Sequence, residues 1–201
     1  MTELLDGARA LGLELSAEQA AKLTAHLDLV DEWSERMNLT AIRERSQQVT
    51  KHLLDSLSVA PHLRGQRVAD IGTGAGFPGI PLAILRPDVQ FALVDSTGKK
   101  CRFLEHVRDT LGLGNVEVVQ SRAESYKPEV RFDTVIARAV GPIADLVRNA
   151  GPLVAGGGRL LAMKGRYPED DLTKKLNGWK VVAVHPLQVP GLAESRHVVE
   201  L

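Results

Sequence analysis

The chain has 201 residues and is 44% hydrophobic, which is enough for one well-packed α/β domain with a small addition but not for two full domains. Its 25 basic and 25 acidic residues cancel, and this balance argues against a protein that coats nucleic acid through bulk charge. Cys101 is the single cysteine, so an intrachain disulfide and a cysteine zinc site are excluded. Because no leader pattern and no apolar run of about 20 residues is present, we expect a cytoplasmic protein without membrane contact.

The first 60 residues predict helices. A short apolar stripe covers residues 4–11, and Ser16 with Gln19 fits a capping box, in which each side chain satisfies a free backbone N–H group. Apolar residues then recur at steps of three and four over residues 20–37, as in an amphipathic helix. A third helix is predicted over residues 46–60, ending where a proline follows.

From residue 67 onward, strands alternate with helices. The predicted strands are 68–71, 91–95, 116–120, 134–137, 160–163, 181–184 and 197–201. The predicted helices are 79–85, 99–111, a short piece near 124, 143–154 and 170–176. Alternation of this kind predicts a mostly parallel sheet with helices on both faces, and the short loop before the last strand predicts antiparallel pairing at one edge. We therefore expect an α/β, Rossmann-like fold with a seven-stranded sheet and one antiparallel edge strand, divided into a helical extension (1–60) and a main domain (61–201).

The most informative motif is the glycine-rich run Asp70-Ile-Gly-Thr-Gly-Ala-Gly-Phe-Pro-Gly79, between a strand and a helix. Glycines let the backbone turn sharply and let a ligand approach closely, and the helix N-terminus offers free N–H groups. Gly74, Gly76 and Gly79 satisfy the spacing of a dinucleotide site. An acid followed by Gly72, Gly74 and Gly76 is instead typical of a methyltransferase that binds S-adenosyl-L-methionine.

Polar residues at the next strand ends favour the methyltransferase interpretation. Asp70 would repel a pyrophosphate, but it lies near the expected position of the methionine ammonium group. Asp95 ends the next strand, where an acid binds ribose hydroxyls in either interpretation, and Ala123 and Glu124 follow the third strand, where an adenine would lie. Ligands of open α/β sheets bind at the carboxyl ends of strands, so these residues predict a cofactor site.

Basic residues follow the later strands. Arg138 stands where many amino methyltransferases carry an Asn/Asp-Pro-Pro-aromatic motif, and its guanidinium suits phosphate or guanine edges rather than proton abstraction. Each of Lys164 and Arg196 taken alone is more often a solvated charge at a strand end, but together with Arg138 they indicate a surface for an anionic substrate near the cofactor. His52 lies one helical turn from Asp55, whose carboxylate could fix the imidazole tautomer.

Together these motifs resemble the glucose-inhibited division protein B family, which comprises bacterial small-subunit (16S) ribosomal RNA methyltransferases that form 7-methylguanosine. The matching segments are Asn38-Leu-Thr-Ala, Lys51-His-Leu-Leu-Asp-Ser-Leu57, the run Asp70 to Pro81, Asp95-Ser-x-Gly-Lys-Lys, Arg122-Ala-Glu124, Ile136-Ala-Arg-Ala139 and Lys164-Gly165. The resemblance implies that S-adenosyl-L-methionine contacts Gly72, Phe77, Ala123, Glu124 and Arg138. It also implies that the pocket or the RNA-facing surface includes Asn38, His52, Lys164 and Arg196.

Transfer of a methyl group to guanine N7 would need alignment rather than acid–base chemistry. N7 has its own lone pair and no proton, so neither a general base nor a metal is required, and positioning carries the rate. N7 lies in the deep groove of an A-form helix, so the target must be a loop, bulge or extruded base. With zero net charge we expect a ribosomal particle rather than naked RNA as substrate, and a monomeric enzyme. Alternatives are a methyltransferase for small molecules or proteins, a silent cofactor-binding regulator and, least favoured, a nicotinamide oxidoreductase.

Overall fold

The computed structural model describes residues 1–139 and 141–201. Helix α1 spans Thr2–Ala10 and helix α2 spans Ala17–Met37. The predicted capping box is confirmed at the start of α2, because the Gln19 N–H donates to Ser16 Oγ at 3.1 Å and the Ser16 N–H donates to Gln19 Oε1 at 2.9 Å. Helix α2 is followed by Asn38 as its C-cap residue, which adopts the left-handed conformation with φ of 50°.

The third predicted helix is present but changes its winding. It comprises helix α3 (Arg45–Gln48), a π-helical segment (Val49–Leu54) and helix α4 (Asp55–Leu57), and a 3₁₀ turn (Ala60–His62) follows. A π-helical segment is rare and is frequently found at functional sites. Here it contains His52, and it therefore marks this stretch for closer inspection.

All seven predicted strands are present. They are β1 Arg67–Ile71, β2 Gln90–Asp95, β3 Val116–Gln120, β4 Phe132–Arg138, β5 Val154–Lys164, β6 Ala183–Leu187 and β7 Arg196–Glu200. The intervening helices are α5 Gly79–Leu85, α6 Gly98–Leu111, α7 Ile143–Ala150 and α8 Glu169–Leu172, with 3₁₀ turns at Ala123–Ser125 and Gly151–Leu153. Strand β5 begins well before residue 160, and α7 ends at Ala150 rather than at 154. Strand β6 spans Ala183–Leu187 instead of 181–184, and α8 ends at Leu172 rather than at 176.

The seven strands form one sheet in the order β3-β2-β1-β4-β5-β7-β6. Strands β1 to β5 pair in parallel, and β7 is antiparallel to both β5 and β6. The predicted fold class is thus confirmed, with the reversed strand lying second from the edge and β6 outside it. The strand order changes direction between β1 and β4, which is where open α/β sheets form a ligand crevice.

Alternate residues of the strands bury opposite faces of the sheet. In β1, Val68 packs in a cluster that also contains Leu4, Leu23 and Leu27 of the N-terminal helices. Its neighbour Ala69 belongs to the cluster on the other face, which includes residues of α7. The N-terminal helices therefore cover one sheet face, while the division at residues 60 and 61 stays a prediction. Among the described residues, no helix has the length and apolar character needed to cross a membrane.

Candidate active site

The glycine loop after β1 lies against the end of β2. Gly72, Gly74 and Gly76 have φ of 68°, 63° and 89°, a region that glycine adopts without steric cost. The Gly72 N–H donates to the Val94 carbonyl oxygen at 2.8 Å, and the Gly74 N–H donates to Asp95 Oδ2 at 3.1 Å. A Cβ at Gly72 would meet no heavy atom within 4 Å, so open space remains beside the backbone.

Asp70 holds this loop in place through hydrogen bonds. It is fully buried, and its Oδ2 accepts hydrogen bonds from Thr73 Oγ1 at 2.6 Å and from the Gly79 N–H at 2.8 Å. Burial raises the pKa of the Asp70 carboxyl to about 6, against the opposing effect of these hydrogen bonds. Asp70 joins the loop to the start of α5 and does not line the cleft above it. The predicted contact with a methionine ammonium group stays a prediction.

A cleft of about 410 Å³ opens at the carboxyl ends of β1, β2 and β4. Five predicted cofactor residues line it, namely Gly72, Asp95, Ala123, Glu124 and Arg138. The other four predicted cofactor residues are not among those that line it, namely Asp70, Gly74, Gly76 and Phe77. Asp95 is held in place, since its Oδ1 accepts from the Thr97 N–H at 2.9 Å. The volume falls in the usual range of small-ligand sites.

A second cavity of about 520 Å³ adjoins the first. Three of the residues predicted for the pocket or RNA-facing surface line it, namely His52, Lys164 and Arg196. Arg138 and Ala139 line both cavities and form their common wall. Ala139 has φ of 55°, which costs energy for a residue with a Cβ and is a feature often found at functional sites. Asn38 is exposed at the end of α2 and lines neither cavity.

Asp55 lines the second cavity and binds the arginine of the common wall. Its side chain is 4% exposed; Oδ2 accepts from Arg138 Nη1 and Oδ1 accepts from Arg196 Nε, each at 3.1 Å. The hypothesis that Asp55 fixes the tautomer of His52 is wrong, because His52 Nδ1 has no hydrogen-bond partner among the described residues and Nε2 bonds a different residue. Thr40 Oγ1 lies 2.8 Å from His52 Nε2 instead. The pairing of Asp55 with two arginines distant in sequence had no local signal.

Three aromatic rings pack against one another next to Arg138. Phe77 lies between His26 and His52, with both ring-centroid distances at 4.6 Å, and the Arg138 guanidinium carbon lies 5.3 Å from the Phe77 ring centroid. Burial lowers the pKa of both histidines to about 4, and the charge of Arg138 contributes to the lowering at His52. Both imidazoles are therefore neutral at pH 7. Sequence reasoning missed His26, although a histidine on the apolar face of α2 was a possible signal.

The basic residues of the second cavity have acidic or carbonyl neighbours. Lys164 Nζ donates to the Gly141 carbonyl oxygen at 2.6 Å and lies 3.1 Å from Asp171 Oδ2. Lys51 Nζ lies 3.0 Å from Glu194 Oε1. An incoming phosphate would have to compete with these carboxylates, so the positive charge of the cavity is partly offset.

The fold is shared with solved structures of methyltransferases. The glycopeptide N-methyltransferase MtfA, solved with sinefungin, superposes with a TM-score of 0.64 at 12% identity, covering 74% of this chain and 85% of that one. A SAM-dependent O-methyltransferase from Thermotoga maritima gives 0.60 at 16% identity, covering 86% and 70%. With the acid and glycine loop after β1, this architecture defines a Rossmann-like methyltransferase fold.

Sequence comparison then identifies the family. A family model described as GidB, rRNA small subunit methyltransferase G, matches residues 19–199. A protein named ribosomal RNA small subunit methyltransferase G from Nitrosococcus oceani is 46% identical over 191 residues, which cover 95% of this chain and 89% of that one. Its namesake from an Enterobacter strain is 44% identical, with coverages of 94% and 91%. The chain belongs to the rRNA small subunit methyltransferase G family, which confirms the resemblance found in its motifs.

Proposed function

We propose that this protein transfers the methyl group of S-adenosyl-L-methionine to N7 of a guanine in small-subunit (16S) ribosomal RNA. The observation that carries the proposal is the pair of adjoining cavities with a common wall at Arg138 and Ala139. One cavity has the position and lining of a cofactor site, and its neighbour has a basic lining. Methyl transfer requires this adjacency, because donor and acceptor must lie in line within contact distance.

The residues of the first cleft fit the proposed cofactor. The open space beside Gly72 allows a ligand to lie directly against the backbone. Asp95 keeps acceptor capacity for ribose hydroxyls beyond its backbone hydrogen bonds, since a carboxylate has about four lone-pair sites. Ala123 and Glu124 line the part of the cleft that adenine would occupy, and bound S-adenosyl-L-methionine would supply the electrophilic methyl group.

The second cavity suits a guanine that becomes cationic. N7 loses no proton on methylation, so no side chain has to act as a base. The neutral ring of His52 can pack against the base without repelling the developing charge. Asp55 offsets the charge of Arg138 and Arg196 in the same region. The site thus offers alignment and a balanced electrostatic environment.

We further propose that the substrate is an exposed guanine in a ribosomal particle, bound by a monomeric cytoplasmic enzyme. Guanine N7 inside an A-form helix is out of reach of side chains. The zero formal net charge and the paired lysines of the second cavity favour weak, salt-sensitive binding to naked RNA. A folded particle presents the nucleotide in a fixed position and compensates for this weak attraction.

The test uses tritiated S-adenosyl-L-methionine and small ribosomal subunits from a strain that lacks the gene. We expect label in the RNA, in 7-methylguanosine after nuclease digestion, and slower labelling of protein-free RNA. Label in another nucleoside would overturn the N7 assignment, and equal rates on both substrates would overturn the preference for a particle. Absence of label, together with cofactor binding measured by calorimetry, would favour a regulator or a methyltransferase for another substrate.

A further inference from the structure

A cluster of potential metal ligands lies outside both cavities. His62 belongs to the 3₁₀ turn ahead of β1, His185 lies on β6, and Glu200 lies on β7. One donor atom from each lies within 4.8 Å of the other two. In the antiparallel pairing, His185 is opposite Val198, so His185 and Glu200 project from the same face of the sheet. The cluster therefore joins the N-terminal helical segment to the hairpin at the sheet edge.

The geometry within the cluster is close to that of a metal site. His185 Nε2 lies 3.1 Å from Glu200 Oε2, and the ring centroids of His62 and His185 are 4.5 Å apart. Two ligands of a tetrahedral zinc ion, each about 2.0–2.1 Å from the metal, are roughly 3.3 Å apart. The pair His185 and Glu200 already has this spacing, and the donor atom of His62 lies within 4.8 Å of both.

Arg159 holds the carboxylate of the cluster from the side away from His185. Arg159 Nη1 lies 2.9 Å from Glu200 Oε1, the oxygen that does not face His185. Arg159 therefore orients the carboxylate as an outer partner of a metal site would, while its positive charge weakens the attraction for a cation.

We propose that His62, His185 and Glu200 bind a divalent transition-metal ion of the zinc type. The donor set of two imidazole nitrogens and one carboxylate oxygen is one that zinc accepts, with water completing the coordination. The site lies outside the residues lining the two cavities, so its role is structural and independent of the proposed methyl transfer. A bound ion fastens the β6–β7 hairpin to the segment that enters β1, and it stabilises the folded chain because the unfolded chain does not preserve the site.

The test is calorimetric titration of the full chain, without an affinity tag and freed of metal by chelation, with Zn²⁺ at pH 7. We expect saturable binding of one ion and an increase in Tm that grows with Zn²⁺ concentration, as mass action requires. Co²⁺ should give visible absorption bands of four- or five-coordinate geometry. Both signals should disappear in His185→Ala and in His62→Gln. Binding should persist in the control His106→Ala, whose histidine is exposed on α6.

Two results would overturn the proposal. One is the absence of saturable Zn²⁺ binding to the wild-type chain. The other is binding of undiminished affinity in either His62→Gln or His185→Ala, since the residue replaced would then not be a ligand. Circular dichroism of each variant before titration separates loss of a ligand from loss of the fold. Because His62→Gln removes a ligand outside the sheet, it keeps the test valid even if His185→Ala disturbs the edge strand.

Discussion

The two cavities are built in different ways, although they share a wall. The first cleft, proposed for the cofactor, is made by the glycine loop and by residues at the ends of consecutive strands, so its parts follow one another along the chain. The second cavity collects side chains from distant segments, including His52, Lys164 and Arg196. The first can be inferred from local motifs, whereas the second exists only through long-range contacts. Arg138 and Asp55 connect the two, and variants of these residues test how far the cavities function separately.

Arg138→Ala should have the largest effect, because Arg138 lines both cavities. Its removal leaves the buried Asp55 carboxylate without one of its two cations, and breaking a buried pair costs roughly 3–5 kcal/mol. We expect weaker cofactor binding and a loss of about 10³-fold in kcat/KM for methyl transfer, equivalent to about 4 kcal/mol. Calorimetry measures the first quantity and tritium incorporation the second. Arg148→Ala, at an exposed position on α7, should change neither; unchanged cofactor affinity in Arg138→Ala would contradict a common wall.

Asp55→Asn should have the next largest effect, since one carboxylate holds Arg138 and Arg196 together. An amide keeps the shape but removes the charge that orients both guanidinium groups. We expect a loss of about 10²-fold in kcat/KM, close to 3 kcal/mol, with normal circular dichroism. Combining it with Arg196→Ala should give less than the sum of the separate effects, because the two residues act through one contact. Additive losses would show that Asp55 does not position Arg196. Asp109→Asn, at an exposed site, is the matched control.

The buried imidazole of His26 should make the stability of the protein sensitive to acid. The His26 N–H donates to the Ala75 carbonyl oxygen at 2.9 Å and the pKa of His26 is about 4, below the value of about 6.5 in the unfolded chain. The contribution of His26 to the unfolding free energy is therefore complete above pH 6.5 and is lost as the pH falls toward 4. At pH 5 the loss is about 2 kcal/mol.

We expect His26→Gln, which retains an N–H donor, to lose less unfolding free energy than the wild type between pH 7 and pH 5. Urea denaturation at the two pH values measures this difference. Asp70 acts in the opposite direction, because its raised pKa favours the folded state as pH falls from about 6, but it is present in both proteins and cancels in the comparison. His106→Gln should behave like the wild type, and an equal acid sensitivity of His26→Gln would show that His26 is not the cause.

Arg196→Ala should have the smallest effect and should separate the cavities most clearly. Arg196 lines only the second cavity, so the affinity for S-adenosyl-L-methionine should stay unchanged. Methylation of ribosomal particles should fall by about tenfold, near 1.4 kcal/mol. If Arg196 contacts a phosphate, the slope of log affinity against log salt concentration should decrease by about one. Filter binding over a salt series measures the slope, and weakened cofactor binding would contradict the separation.

Local sequence signals predicted most of the fold and the residues that meet in the first cleft. The strand and helix alternation predicted all seven strands, and the bounds of α5 agree with the structure because glycine and proline mark its start. Gly72, Asp95 and Glu124 meet in one cleft because residues after neighbouring parallel strands share one sheet edge. The early start of β5 was not predicted, since the glycines from 156 to 158 hide the strand pattern.

By itself, the sequence determined the order of the elements, the glycine loop and the family, because these depend on residue type and short spacing. The tertiary structure decided which charged groups meet. Asp55, Arg138 and Arg196 lie far apart along the chain, and only the packing of the N-terminal helices on the sheet brings the carboxylate between both guanidinium groups. The tertiary structure also buried His26 and His52 around Phe77 and so lowered their pKa values. Burial and ion pairing depend on distances between side chains, and those distances are set by the whole fold rather than by local sequence.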